Sequence, residues 1–276
     1  MKLLIVASVD ASACERGRML AARLAAAGID AQLCSVADAG TMTIDAAELA
    51  LVVVLGGDGT FLSAARLIGY AAVPILAFNY GDLGFLSGNP DRDEVELIFD
   101  ALSGDLALER RSTLDAVVTD AQGVCHTFTA LNEIAYTRGA SGHVVEYTMG
   151  INGTSIATLK ADGLVVATAT GSTAYALSAG GPVVSPAYSG LVVVALAPHS
   201  LVSRAIVTAP SDVIEVQMTG RSLAEASLFV DGRPMQVTAP TSMRISRGSK
   251  EIVFVRGGKD FFASVAHAFF GGGTPR

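Results

Sequence analysis

The chain has 276 residues, of which 51% are hydrophobic and 16% are charged, and its formal net charge is −7. No apolar run reaches the roughly 18–20 residues that cross a membrane. No block of Lys and Arg supplies the clustered positive charge that nucleic acids and anionic membrane surfaces require. We therefore expect a soluble globular protein with no nucleic-acid or membrane partner, long enough for two domains.

The cysteine content points to a reducing compartment. Cys14, Cys34 and Cys125 are odd in number and far apart, a pattern that favours neither a disulfide framework nor a metal site. Residues 1–9 resemble the start of a signal peptide, but the apolar core is short and Asp10 interrupts it. The favoured interpretation is a first buried strand in a cytoplasmic protein.

The first hundred residues alternate between strand and helix patterns. Apolar runs predict strands, and longer amphipathic or Ala-rich stretches predict helices, the first of which stops at Gly28. The predicted strands are 3–9, 29–36, 49–55 and 73–78, and the predicted helices are 12–27, 61–69 and 93–102. This βαβ rhythm predicts an α/β N-terminal domain, with a Rossmann-like parallel sheet, over residues 1–105.

The pattern changes after residue 105 to short strands separated by turn signals. One helix-like segment follows Thr173, and Asp231-Gly232 lies between alternating runs as a hairpin turn would. The predicted strands are 114–119, 125–133, 144–151, 164–168, 191–196, 213–218, 227–230, 235–238, 243–246 and 251–256. We expect a β-rich, β-sandwich-like C-terminal domain over 106–250, and a segment 251–276 whose residues 261–270 pack back on the first domain.

The most distinctive segment is 51–66, LVVVLGGDGTFLSAAR, in which a buried strand runs into Gly56-Gly57-Asp58-Gly59-Thr60 before a helix. Glycines let a backbone approach a ligand, and a helix N-terminus favours anions. The alternative is a tight turn with Asp58 as helix N-cap. The segment is neither a P-loop nor a dinucleotide fingerprint. An acid here can accept a proton from an attacking hydroxyl or help to hold Mg²⁺.

Several blocks, in order, resemble one enzyme family. The GGDGT loop resembles that of NAD kinases, diacylglycerol-type lipid kinases and 6-phosphofructokinases. The stretch 79–86, NYGDLGFL, the pair Asn132-Glu133, and 160–182, KADGLVVATATGSTAYALSAGGP, are similar to the blocks of NAD kinases in particular. The resemblance runs from about residue 50 to 235, and ordered blocks are far more specific than one loop.

The resemblance implies an enzyme that transfers the γ-phosphoryl group of ATP, or of polyphosphate, to the 2′-hydroxyl of the adenosine ribose of NAD, giving NADP. Asp58 would be the general base, and Gly56, Gly57, Gly59 and Thr60 would surround the phosphate donor. Mg²⁺ would be held mostly by substrate phosphates rather than by protein ligands. Members of the family form dimers or tetramers, so a homo-oligomer is expected.

The same resemblance assigns further residues to the dinucleotide. Asn132 and Glu133 would hold the adenosine, and Asp162 would lie nearby. The matching nucleotide-contacting positions of the later blocks are Thr173, Ala174, Tyr175, Ser178 and Ala197.

Three further positions keep two interpretations open. Lys160 stands where many relatives have Arg, so its phosphate or stacking role is in doubt. His143 falls on the nicotinamide side in some relatives, or is a surface residue. Asp231 is either a hairpin-turn residue or a nucleotide contact.

Two rival functions remain at this point. A lipid kinase of the same superfamily is disfavoured by the Asn-Glu and Thr-Ala-Tyr blocks and by the lack of a basic or amphipathic membrane-facing segment. A non-catalytic NAD-binding regulator is disfavoured by the intact Asp58.

Overall fold

The structure is a computed structural model. It describes residues 2–38, 42, 44–81, 84–88, 92–140, 142–200, 202–219, 223, 225–257 and 260–271. Two compact units divide the chain: the first comprises Met1–Arg110 and Glu251–Arg276, and the second comprises Arg111–Lys250.

The first unit is built on a parallel sheet. Its strand order is β2-β1-β3-β4, and the end of β16 pairs in parallel with β4. The strands are β1 Lys2–Ala7, β2 Asp30–Ser35, β3 Leu49–Leu55, β4 Pro74–Phe78 and β16 Ser242–Val255. Residues 51–55 are almost completely buried, as expected of a strand covered on both faces.

Four helices belong to this unit: α1 Ala11–Ala26, α2 Asp58–Leu67, α3 Glu94–Ser103 and α5 Phe261–Phe270. A short 3₁₀ turn, Ala46–Glu48, precedes β3. Leu20 and Leu24 of α1 and Leu97 and Ile98 of α3 are buried in one cluster with the sheet. None of the helices in the described residues is both long and apolar enough to cross a membrane.

The second unit contains two antiparallel sheets. In one, β9, β8, β13 and the start of β16 are neighbours, and β5 pairs with β16 and β6; the other has the order β12-β11-β10-β7-β14-β15. The strands are β5 Leu108–Thr119, β6 Cys125–Ala130, β7 Glu133–Thr137, β8 Val145–Ile151, β9 Thr154–Ala161, β10 Gly163–Ala167, β11 Val192–Leu196, β12 Ile206–Val207, β13 Val213–Thr219, β14 Ser227–Val230 and β15 Arg233–Met235.

One apolar cluster lies between these two sheets. It contains the fully buried Tyr136 of β7 and Tyr147 of β8, together with residues from most other strands of the unit. The outer face of the second sheet is covered around Ala176 of the short helix α4, Tyr175–Ser178. The α/β N-terminal domain with a parallel sheet, and the β-rich sandwich-like C-terminal domain, are therefore confirmed.

Several predicted elements were wrong in detail. Helix α2 begins at Asp58, three residues before its predicted start. The predicted strand 125–133 is two strands, because the chain leaves one sheet after Ala130 and enters the other at Glu133. Strand β9 was missed, and the two predicted strands 243–246 and 251–256 are parts of the single strand β16.

Candidate functional site

The glycine loop lines a cavity of about 530 Å³ in the first unit. Gly56 has φ of +154°, and a Cβ there would lie 2.4 Å from the Thr60 hydroxyl oxygen, so only glycine suits this position. Gly57 is the N-cap of α2 with no side-chain capping bond. Gly57, Gly59 and the buried Thr60 line the cavity with Gly56. The loop thus presents the start of α2 to the cavity, where backbone N–H groups attract anions.

Asp58 is the first residue of α2, and it does not cap the helix. The interpretation of Asp58 as N-cap is wrong, because helix α2 starts at Asp58 and its side chain turns to another segment. Its Oδ2 accepts from the backbone N–H of Phe85 at 2.9 Å, and its Oδ1 accepts from the N–H of Leu86 at 3.1 Å and the hydroxyl of Ser87 at 3.0 Å. Asp58 is not among the residues that line the cavity.

These bonds join the glycine loop to the NYGDLGFL segment. A Cβ on Gly84 would lie 2.0 Å from Asp58 Oδ1, so the carboxylate packs directly on the glycine backbone. A carboxylate has about four lone-pair sites, of which three are occupied here, and the remaining one is on Oδ2. Asp82 and Leu83 of this segment lie outside the described residues.

A second cavity, of about 650 Å³, lies in the second unit. Five of the residues singled out from the sequence line it: Glu133, Asp162, Tyr175, Ser178 and Ala197. They come from β7, α4 and the chain ends beside β9–β11, so residues far apart in sequence meet at one cavity.

The Glu133 carboxyl is the most unusual group of this second cavity. It is 6% exposed, and its Oε2 has no hydrogen-bond partner among the described residues. Burial, helped by the nearby charge of Asp231, raises the pKa of Glu133 to about 7, although the Tyr175 backbone N–H bonds to the carboxyl. An orphaned oxygen at a cavity wall suits a ligand that donates hydrogen bonds.

This pKa shift makes stability depend on pH in an unusual direction. Between about pH 4.5 and 7 the folded protein retains a proton on Glu133 that the unfolded chain has released, so the free energy of unfolding falls as pH rises through this window. In Glu133→Gln, which has no titrating group at this position, we expect the fall in the free energy of unfolding across this pH window to be smaller by on the order of 1–3 kcal/mol. Urea denaturation of both proteins at about pH 5 and about pH 8 measures it. An equal pH dependence in the two proteins would contradict the assignment.

Asp231 contributes to the same site indirectly. Its carboxylate accepts hydrogen bonds from the backbone N–H groups of Leu131 at 3.1 Å, Asn132 at 2.7 Å and Glu133 at 3.3 Å. Asp231 is 6% exposed and does not line the cavity, whereas its neighbour Gly232 does. The carboxylate therefore satisfies the backbone N–H groups of the corner at which the chain passes from β6 to β7. Because one of these N–H groups belongs to Glu133, Asp231 also positions Glu133.

The Thr-Gly-Ser-Thr-Ala-Tyr block, residues 170–175, packs through Gly171 against Asn132, at the corner between β6 and β7. A Cβ on Gly171 would lie 2.1 Å from the carbonyl oxygen of Asn132, so this close contact requires glycine. Asn132 is buried, and its Oδ1 has no partner among the described residues. The Thr173 hydroxyl donates to the Thr170 carbonyl, and Ala174 is the N-cap of α4. Asn132, Thr173 and Ala174, which were assigned to the nucleotide from the sequence, are therefore not among the residues that line the cavity.

Two predicted residues are at the surface, away from the cavity lining. His143 is exposed, with its Nδ1 3.4 Å from Glu225, and Lys160 is exposed, with its Nζ 3.4 Å from Glu146. The cation that does line the cavity is Arg138, whose Nε lies 3.3 Å from Asp162.

Sequence reasoning missed Arg138 and Phe229. A usable signal existed: Glu133, Ala135 and Thr137 alternate along β7 and all line the cavity, and Phe229 pairs with Ala135 on the neighbouring strand. Counting every second residue from Glu133 along β7 would have identified Ala135 and Thr137 as residues on the same face of the sheet.

Comparison with known proteins identifies the family. Residues 37–105 match the model of the ATP-NAD kinase N-terminal domain, and residues 131–257 match that of the ATP-NAD kinase C-terminal domain. An NAD kinase of Porphyromonas gingivalis is 38% identical over 224 residues, 81% of this chain and 75% of the relative. An NAD kinase of Ralstonia nicotianae is 38% identical over 203 residues, 74% of this chain and 67% of the relative.

Solved structures show the same fold. The yeast NADH kinase complexed with NADH matches with a TM-score of 0.85 at 22% identity, over 100% of this chain and 89% of that one. The NAD kinase from Archaeoglobus fulgidus in complex with ATP matches with a TM-score of 0.74 at 24% identity, over 99% and 98%. The family models, the curated relatives and the ordered sequence blocks agree, and this chain belongs to the NAD kinase family.

Proposed function

We propose that this chain transfers the γ-phosphoryl group of ATP to the 2′-hydroxyl of the adenosine ribose of NAD, forming NADP and ADP. The family and its named relatives make the chain a phosphotransferase that acts on NAD. The observation that carries the acceptor assignment is the buried carboxyl of Glu133, which lines the second cavity and whose Oε2 has no partner in the part of the chain that the structure describes. A carboxyl oxygen in this position can accept hydrogen bonds from ribose hydroxyls.

The two cavities suit different parts of the reaction. The cavity at the glycine loop offers the start of a helix, which favours the donor's phosphates. The second cavity offers Glu133 for the ribose and the 42% exposed ring of Tyr175 as an aromatic surface for the base. Relatives have been crystallised with NADH and with ATP, which supports both classes of ligand.

Asp58 supplies the proton acceptor in this proposal. The 2′-hydroxyl gives its proton to Oδ2 of Asp58, and the oxygen of that hydroxyl forms a bond to the γ-phosphorus of ATP. The bond between the γ-phosphorus and the β,γ-bridging oxygen breaks, and ADP is released. The backbone N–H groups of Phe85 and Leu86 fix the carboxylate, and one lone pair on Oδ2 stays available. A positioned base contributes about 10²–10⁴-fold in rate.

We also propose that Mg²⁺ accompanies the donor. The described residues contain no group of three His, Cys, Asp or Glu side chains arranged to hold a metal ion. These residues fit a Mg²⁺ ion that would be held by the phosphates of the substrates rather than by a set of protein ligands. When bound, the ion neutralises charge on the transferring phosphoryl group.

The remaining expectations are a homo-oligomer and a cytoplasmic location. The edge strands β9 and β12 offer unpaired backbone groups to a second copy of the chain, as dimers or tetramers would use. The cysteines Cys14, Cys34 and Cys125 are all free thiols, in keeping with a reducing compartment. Sedimentation equilibrium of the purified protein measures the oligomeric state.

Replacing Gly59 separates folding from donor binding. A Cβ at Gly59 meets no atom within 4 Å, and the residue lies in α2, so Gly59→Ala should leave stability unchanged or raise it by up to ~1 kcal/mol. The methyl group enters the cavity, so the KM for ATP should rise several-fold. Gly88→Ala, also in open space but outside the cavity lining, is the control. An unchanged KM would show that the donor does not approach Gly59.

The proposed function is tested by incubating the purified protein with NAD, ATP and Mg²⁺ and detecting NADP with an NADP-specific dehydrogenase. Polyphosphate and NADH replace ATP and NAD in parallel reactions. NADP formation supports the proposal and identifies the donor. If NAD binds but no NADP forms with either donor, the result would favour a non-catalytic NAD-binding regulator. The comparisons with known proteins favour neither a regulator nor a lipid kinase.

A further inference from the structure

The first-unit cavity extends beyond the glycine loop to the beginning of α1. Ser8, Ser12 and Arg16 line it together with the loop, and Arg16 is the one Lys or Arg among the described lining residues. Sequence reasoning assigned nothing to this segment. A cavity walled by a phosphate-type glycine loop on one side and a guanidinium on the other is built for an anion of several charged groups.

The Arg16 guanidinium is held in place by an aromatic ring. It lies 4.2 Å from the centroid of the Tyr80 ring, and Tyr80 also lines the cavity. The Tyr80 hydroxyl donates a short hydrogen bond to the carboxylate of Glu94, at the start of α3. The ring is therefore fixed at its far end, and Arg16 is stacked on a surface that does not rotate away.

Arg16 has no carboxylate partner in the described part of the chain, in contrast to its neighbour Arg18. The Arg18 guanidinium pairs with Glu15 at 2.6 Å and does not line the cavity. The nearest acid in the cavity lining, Asp10, accepts a hydrogen bond from the Ser8 hydroxyl at 2.6 Å. The Arg16 guanidinium thus contacts Tyr80 but no carboxylate among the described residues, and its charge remains available to a ligand.

The same cavity is lined by Thr60 of the glycine loop, which is 8% exposed. The family resemblance already places Thr60 beside the phosphate donor. Arg16 therefore shares its cavity with a residue that is expected next to the donor.

We propose that Arg16 binds the phosphate chain of the donor. The planar guanidinium donates two parallel hydrogen bonds to phosphate oxygens, and its stacking on Tyr80 fixes the plane of that fork. This inference rests on the proposed function. A phosphate chain is present in ATP and polyphosphate and also in the pyrophosphate of NAD, and the proposal assigns Arg16 to the donor.

The test compares Arg16→Met and Arg16→Lys with Arg18→Met as the matched control. Arg16→Met keeps an apolar chain on Tyr80 but removes the charge, and Arg16→Lys keeps the charge but removes the fork. KM values for ATP and for NAD are measured separately, and binding of inorganic tripolyphosphate is measured by calorimetry. Because Arg16 is exposed on a helix, all three variants should fold.

We expect Arg16→Met to raise the KM for ATP by about ten- to a hundredfold, with an unchanged KM for NAD, and to weaken tripolyphosphate binding by a similar factor. Arg16→Lys should be intermediate, and Arg18→Met should match the wild type. A rise in the KM for NAD alone, or equal behaviour of the Arg16 and Arg18 variants, would overturn the proposal. If the wild type makes no NADP, the proposed function fails, and tripolyphosphate binding alone still decides the role of Arg16.

Discussion

Asp58→Asn is expected to lower the rate of NADP formation by about 10²–10⁴-fold, because the amide cannot accept the proton of the attacking hydroxyl. The change also has a structural cost. The amide –NH₂ replaces an oxygen that accepts from a backbone N–H of Phe85 or Leu86, so one donor faces another. We expect a loss of about 1–3 kcal/mol in the free energy of unfolding. Initial rates and urea denaturation curves measure the two effects.

Ser87→Ala separates these two effects. It removes the hydroxyl that donates to Asp58 Oδ1 at 3.0 Å and keeps the carboxylate. Its stability loss should be similar to that of Asp58→Asn, whereas its activity should fall by less than about tenfold. If the two variants lose activity equally, Asp58 acts by holding the segment after Gly84 rather than as a base.

Replacing Asp231 should have the largest effect on stability. Its carboxylate accepts from three consecutive backbone N–H groups at the buried corner between β6 and β7. Asp231→Gly leaves these donors unsatisfied without straining the backbone, whose φ is +47° at this residue. We expect the free energy of unfolding to fall by about 3–6 kcal/mol, since each unsatisfied buried group costs about 1–3 kcal/mol.

Asp231→Asn provides the graded control for this prediction. Asn tolerates a positive φ, and its one carbonyl oxygen can still accept from Asn132 and Glu133, so the loss should be smaller than in Asp231→Gly. The charge of Asp231 helps to raise the pKa of Glu133, so the pKa of Glu133 should fall in Asp231→Asn. Carboxyl NMR titration measures that pKa. Equal stability of the wild type and both variants would exclude a structural role for Asp231.

Elements with a clear apolar periodicity were predicted correctly. The run at 49–55 has the same bounds in the structure, and the apolar spacing of α1 and α3 located both helices within one or two residues. These elements are predictable because burial on the sheet determines which side chains are apolar. Strand β9 was missed; only its last residue, Ala161, is buried, so burial distinguishes this strand only weakly.

The positions of individual site residues were less predictable. Asp231 follows a strand and precedes a glycine, which is all that a hairpin requires, and its bonds to residues about a hundred positions earlier have no local signal. Arg138 and Arg16 reach the two cavities through strand pairing and helix packing, which a linear pattern does not encode. Asp58 stood out as an acid between glycines before a helix, but its catalytic interpretation, like the assignment of Glu133, depended on several blocks that occur together in the order of a known family.

The most direct test of the central claim is transfer of the phosphoryl group itself. ATP labelled in its γ-phosphate is incubated with NAD, Mg²⁺ and either the wild type or Asp58→Asn, and the dinucleotide product is isolated. We expect the wild type to place the label in the 2′-phosphate of NADP and Asp58→Asn to do so about 10²–10⁴-fold more slowly. Label found only in inorganic phosphate, or transfer at an equal rate by the two proteins, would contradict it.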